Sequence, residues 1–153
     1  MRGQILFLED DAGFRNWVTE QLKKKGYEVK DFFRVDQVKE YFSEHKSEID
    51  LLIVDLNMED KWLENYKQES YGGFFTGWVW LEHFVYDENP DIPTIIYSGF
   101  IDVLDEWLKE NNKKPLSQRR NITCVNKGVG DAAGVDKLLN VIQKVLGRRN
   151  NDD

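Results

Sequence analysis

The sequence has very few of the residues that metal, redox and nucleophile chemistry most often uses. Among 153 residues there is one cysteine, Cys124, and there are two histidines, His45 and His83. A lone cysteine forms no internal disulfide, and its place inside an apolar, strand-like stretch suits a reducing cytoplasm. No zinc-type spacing, no Ser-His-Asp arrangement and no Gly-rich phosphate loop occurs. Both histidines fall on helix-like segments away from the strand ends and read as helix-face residues rather than ligands or bases. No apolar run approaches the ~20 residues of a membrane-spanning helix. Met1-Arg2-Gly3 leads straight into a short strand, so no signal peptide is expected. There is no internal repeat and no low-complexity linker. Basic residues are also outnumbered: 21 Lys and Arg stand against 28 Asp and Glu, for a net charge of −7. Without a basic stripe, direct binding to nucleic acid is not expected. The cluster Lys113, Lys114, Arg119 and Arg120 reads as a solvated loop.

What is present describes a globular chain. Hydrophobic residues make up 41% and charged residues 32%, enough apolar material for a core and too much for disorder. The length fits one domain with a single sizeable core. That domain is expected over residues 1–147, with a polar tail over 148–153.

The pattern centres on residues 50–58, DLLIVDLNM. Leu51, Leu52, Ile53 and Val54 form a short unbroken apolar run of the kind buried on both faces in a parallel sheet. Asp55 follows directly. A charge at the end of a buried strand is costly unless it is solvated, paired or bound to metal. In open α/β sheets the carboxyl ends of the strands are also where ligands bind. Three other apolar runs end in the same manner. QILFL (4–8) runs into Glu9, Asp10 and Asp11; TIIY (94–97) ends at Ser98-Gly99; ITCVN (122–126) ends at Lys127-Gly128. Carboxylates, a hydroxyl and an ammonium thus fall on one edge of one sheet.

Helical spacing fills the intervals. Phe14, Val18 and Leu22, with Trp17 beside them, predict a first helix that closes on Lys23, Lys24, Lys25 and Gly26. A second strand is expected at residues 27–33, then a second helix whose inner face carries Val38, Tyr41, Phe42 and His45. A fourth helix is expected near residues 103–111 with Leu104, Trp107 and Leu108. A last one near 135–146 carries Leu138, Leu139, Ile142, Val145 and Leu146. The fourth helix and fifth strand are joined by a long basic connection, 112–121. Alternating strands and helices predict right-handed crossovers and an α/β, flavodoxin-like, doubly wound sheet of five parallel strands, order 2-1-3-4-5, with helices on both faces.

This order and spacing resemble the CheY-like receiver domain of two-component response regulators, over residues 4 to 146. The resemblance implies a phosphoacceptor at Asp55, which takes a phosphoryl group from a sensor histidine kinase or phosphotransfer protein. It implies Mg²⁺ held by Glu9, Asp10, Asp55 and the backbone carbonyl of Asn57, with Glu9 acting mainly through water. Oxygen ligands with room for water suit that ion. Lys127 and Ser98 would contact the phosphoryl group, and Asp11 would cap the first helix. The chain would then be a cytoplasmic signalling domain rather than an enzyme. It would act through an unknown downstream protein, with homodimerisation as a further option, either alone or as part of a longer protein.

The sequence also departs from the family pattern. Cys124 stands where an aromatic switch residue is usual, Gly128 where a cis proline is usual, and Glu59 where a proline is common. Receivers open their third helix with a glycine much sooner after the acceptor. Here the matching GWVWLEHF begins at Gly77, 22 positions beyond Asp55, with Leu81, Phe84 and Val85 expected inward. Residues 59–76 therefore read as an insertion. It carries Trp62, Tyr66, Tyr71, Phe74 and Phe75 among Lys61, Glu64, Lys67 and Glu69. The spacing of Trp62 and Tyr66 predicts a short helix stopped by Gly72-Gly73. Its aromatics either pack on the domain or face a partner. Two competing functions follow: a receiver-like interaction module that no longer cycles phosphate, and a Mg²⁺-dependent phosphatase with Asp55 as nucleophile. The latter needs an acid two residues on, where Asn57 stands.

Overall fold

A computed structural model describes residues 3–59, 64–66, 68–127 and 132–151. Five strands, β1 (Gln4–Leu8), β2 (Glu28–Phe32), β3 (Leu51–Val54), β4 (Thr94–Ser98) and β5 (Ile122–Asn126), form one parallel sheet in the order β2-β1-β3-β4-β5. Between and after them come α1 (Ala12–Lys24), α2 (Val35–His45), α3 (Thr76–Trp80), α4 (Ile101–Glu110) and α5 (Ala132–Asn151). This is the expected flavodoxin-like arrangement. Among the described residues, no helix is long and apolar enough to cross a membrane.

The central strands are mostly apolar, and β3 is apolar in every position, because they are covered twice. Strand side chains alternate between faces. Ile5, Phe7, Leu51, Ile53, Ile95 and Tyr97 accordingly pack with Val18 and Leu22 of α1 and Val135, Leu138, Ile142 and Leu146 of α5. Leu6, Leu8, Leu52, Val54 and Ile96 pack with α2, α3 and α4 on the other side. All four residues of β3 are fully buried.

Local signals set most boundaries. Asp11 caps α1, its carboxylate accepting from the Phe14 amide at 3.1 Å, as an N-cap acid does. Gly26 takes φ 93 just past the helix end, a conformation glycine reaches without strain. In α2 the buried face is Val35, Val38 and Phe42. Tyr41 and His45 instead lie at its rim, stacked on each other with centroids 4.3 Å apart. Trp17 is exposed.

The connection from β3 to α3 doubles back on itself. Met58 and Gly73 bond through the Met58 amide at 3.0 Å, and the Thr76 hydroxyl donates to the Met58 carbonyl at 2.8 Å. Tyr71, Gly72 and Gly73 all have positive φ, so the expected glycine stop is a left-handed reversal. Of the expected short helix, one 3₁₀ turn, Glu64–Tyr66, is seen; Lys61, Trp62 and Lys67 lie outside the described residues, as does Gly128. Phe75 is buried, whereas Tyr71 and Phe74 are exposed. Leu81 and Val85 point inward as expected, and Phe84 is only half-buried.

Because β3 is sealed on both faces, Leu52→Ala and Ile53→Ala open cavities on opposite sides of the sheet. Each is expected to cost about 2–5 kcal/mol, read as a lower denaturant midpoint at unchanged slope. A loss below ~1 kcal/mol from either would contradict its burial.

Candidate functional site

The strand order determines what meets at the carboxyl edge. β1 and β3 are neighbours in register, Leu8 opposite Val54, so the next residues, Glu9 and Asp55, sit side by side. The Asp55 amide donates to the Leu8 carbonyl at 3.0 Å and the Glu9 amide to the Phe32 carbonyl at 2.9 Å. Both carboxylates are buried, at 1% and 6% exposure, while Asp10 beside them is exposed. Oxygens of Glu9, Asp10 and Asp55 all lie within 4.8 Å of one another.

Lys127 reaches this cluster from the end of β5. Its amide donates to the Ser98 carbonyl at 3.1 Å, which fixes where the side chain starts. Its Nζ donates to Asp55 Oδ2 at 2.8 Å and to Glu9 Oε1. The ammonium also lies 5.1 Å from the Phe14 ring centroid and 5.6 Å from that of Tyr97, a cation–π environment that limits its access to water. Asp55 Oδ1 accepts from the Leu56 amide at 2.7 Å. The second Glu9 oxygen accepts from the Asp11 amide at 3.3 Å. Arg15 holds the Glu9 carbonyl at 2.9 Å while pairing with Asp31 at 3.2 Å.

These surroundings push the ionisations apart. Burial raises the Glu9 carboxyl to about 8; the Asp55 carboxylate adds to the rise and Lys127 opposes it. For Lys127, burial alone would favour the neutral amine, but Asp55 and Glu9 outweigh it and leave the ammonium harder to deprotonate than usual. Burial likewise raises the Tyr97 phenol, against the pull of Lys127.

The remaining predicted residues are near but engaged otherwise. Ser98 is fully buried at the end of β4, and its hydroxyl accepts from the Phe100 amide at 3.1 Å. Asn57 is exposed on the connection beyond Asp55. Cys124 is half-buried on β5, and its thiol is pushed up to about 11, by burial first and then by Asp105 and Asp102. It is held as the poorly nucleophilic thiol. Gly77 was legible only as a helix opening. Its role is close approach: a Cβ there would fall 2.0 Å from the Asp55 carbonyl oxygen. The Gly77 amide donates to the Leu56 carbonyl at 3.1 Å, so α3 begins directly against the backbone of the acidic site.

No protein-family model matches this sequence, and neither does any curated protein. Solved structures do match over the whole chain. A response regulator receiver domain protein from Clostridium thermocellum is 17% identical, with 99% of both chains aligned and a TM-score of 0.64. The non-phosphorylated HemR receiver domain from Leptospira biflexa is 16% identical over 95% of this chain and 94% of that one, TM-score 0.66. A CheY-like receiver domain protein from Methanospirillum hungatei JF-1 is 16% identical over 100% of both, TM-score 0.62. At such identities the likeness is one of fold, and the chain has the CheY-like receiver fold.

Two predictions follow from the site's packing and charge. In Gly77→Ala the new methyl must displace the Asp55 backbone. The variant is expected to lose about 1–3 kcal/mol or more as overpacking, read as a lower denaturant midpoint. Wild-type stability would refute the contact. The second concerns pH in metal-free protein. With Glu9 raised from 4.5 to about 8, the folded state holds a proton that the unfolded chain has released. Stability therefore falls as pH rises through that window. Melting temperature is expected to drop between pH 6 and pH 8.5 in the wild type and to stay flatter in Glu9→Gln. Equal slopes would refute the assignment.

Proposed function

We propose that this chain is a phosphoacceptor receiver. Asp55 takes a phosphoryl group from a phosphohistidine on a sensor histidine kinase or phosphotransfer protein, and the phosphorylated state is passed on by protein–protein contact in the cytoplasm. One observation carries the reading: Glu9, Asp10 and Asp55 converge at the carboxyl edge of the sheet with Lys127 bonded to Asp55. Within a receiver fold, that constellation joins a nucleophile to the cationic groups that phosphoryl transfer requires.

The donor set fits Mg²⁺. Three carboxylates supply hard oxygens, too few to fill an octahedral shell, which leaves positions for water and phosphate. Asp10 and Asp55 would hold the ion directly, Glu9 through water, and the Asn57 carbonyl would complete the protein's share. When bound, the ion neutralises charge on the transferring phosphoryl oxygens.

The chain's own groups divide the remaining work. An Asp55 oxygen forms the new O–P bond as the N–P bond of the donor breaks, and the electron pair leaves with the imidazole. The Leu56 amide and Lys127 fix the two Asp55 oxygens, so the carboxylate keeps one orientation. Lys127 then balances a phosphoryl oxygen as a compact ammonium. The Ser98 hydroxyl, which accepts from the Phe100 amide, has its own proton to donate to another oxygen. No general acid is needed, in keeping with Asn57 two residues beyond Asp55. That residue counts against the phosphatase reading.

The interaction-module reading draws on exposed Tyr71 and Phe74. Intact mass after incubation with acetyl phosphate and Mg²⁺ separates the two. One phosphoryl group is expected, absent in Asp55→Asn and absent without Mg²⁺. Lys127→Ala is expected to slow its gain at least tenfold. No mass gain in folded, Mg²⁺-binding protein would reject the phosphoacceptor in favour of the module.

A further inference from the structure

A second group of metal-ligating side chains shares no residue with the acidic site. Glu69 from the connection, and Glu82 and His83 from the helical turn after α3, place ligand atoms within 4.8 Å of one another. That turn, Leu81–Val85, is wound as a π-helix. Such turns are rare and frequent at functional sites. His83 Nε2 meets Glu69 Oε2 at 2.6 Å. The imidazole is held by Tyr66, which stacks on it with centroids 4.3 Å apart and itself rests edge-on against Phe84. Glu82 carries a counter-ion, Lys113 Nζ at 3.1 Å. All three ligands are half-buried, reachable by an ion yet partly shielded.

We propose that Glu69, Glu82 and His83 form a second metal site, for a borderline divalent cation such as Zn²⁺. The chemistry of the donors sets the preference. One imidazole and two carboxylates suit zinc, whereas Mg²⁺ prefers oxygen alone and keeps its waters. Three protein ligands leave a fourth tetrahedral position for water. Two carboxylates and a neutral imidazole balance a divalent charge. The hydrogen bond between His83 and Glu69 already holds the two ligand groups together, and a metal would take the place of the proton they share. Glu82 completes the set by exchanging the Lys113 ammonium for the metal. Bound metal would then tie the connection that follows Asp55 to the turn that follows α3. This inference is independent of phosphoryl transfer, because it shares no residue with the acidic site.

Calorimetric titration with Zn²⁺ tests it, in excess Mg²⁺ so that the acidic site does not compete. One equivalent is expected to bind and to raise the melting temperature. His83→Gln keeps a hydrogen-bonding side chain but lacks the imidazole, and is expected to bind at least tenfold more weakly, as is Glu69→Gln. Lys113→Met removes the competing ammonium and is expected to bind more tightly. His45→Gln and Asp55→Asn are expected to leave affinity unchanged. Co²⁺ in place of Zn²⁺ is expected to give the visible absorption of a tetrahedral ion, lost in His83→Gln. Absence of Zn²⁺ binding by folded wild type would overturn the site and leave two ordinary ion pairs. So would binding that survives His83→Gln unchanged.

Discussion

Two carboxylates buried side by side govern this architecture. Glu9 and Asp55 end neighbouring strands and are almost sealed from water. A like-charge pair ~4 Å apart is worth on the order of 4 kcal/mol even at an effective dielectric near 20. The fold offsets this by bringing Lys127 across the edge of β4, with its amide fixed on the Ser98 carbonyl and its ammonium bonded to both acids. Compensation by one lysine is incomplete. Burial first, and then the Asp55 carboxylate, leave Glu9 holding its proton into the neutral range, and Asp10 adds a third carboxyl group beside the pair. A site with more acid than base is one that a cation improves. The electrostatic burden at the sheet edge is therefore also what the proposed divalent ion would relieve.

The strand framework explains why the meeting of these residues was readable from the sequence. Strands β1, β3 and β5 occupy the segments their apolar runs predict, because a strand covered on both faces has little choice of composition. Once strand order is inferred from the alternation of elements, the residues just past each strand are adjacent by geometry, and Glu9, Asp55 and Lys127 meet. Strand β2 runs along the sheet edge, where the pattern is mixed, and it is shorter than the 27–33 expected from its sequence.

The parts that were not legible depend on contacts that no periodicity records. Helical spacing assumes one wet face, but every residue of α3 is buried. Trp78 and Trp80 are thus core residues, and an inward set of Leu81, Phe84 and Val85 understates the burial. The demand on Gly77 comes from the Asp55 carbonyl, distant in sequence and in contact only after folding. His83 reads as a surface helix residue by position. Its partners Glu69 and Tyr66 come from a connection whose path is set by the left-handed reversal at residues 71–73.

The same connection bears on how the edge communicates with the surface. Cys124, on β5, is a small half-buried thiol packed near α4, with neither the reach nor the polarity to link the sheet edge to the surface. The direct link from Ser98 runs along the chain instead. Its hydroxyl accepts from the Phe100 amide, and the Phe100 ring packs on Phe74 with centroids 5.1 Å apart. Phe74 follows Gly73, which is bonded to Met58, three residues past Asp55. The exposed ring of Phe74 therefore rests on two tethers, one from each side of the site. Turning the Ser98 hydroxyl away from Phe100 forfeits a hydrogen bond worth about 1 kcal/mol. It does so at the residue that seats the aromatic pair. A short chain of contacts thus joins the acid site to an exposed aromatic surface, through residues of the connection between β3 and α3.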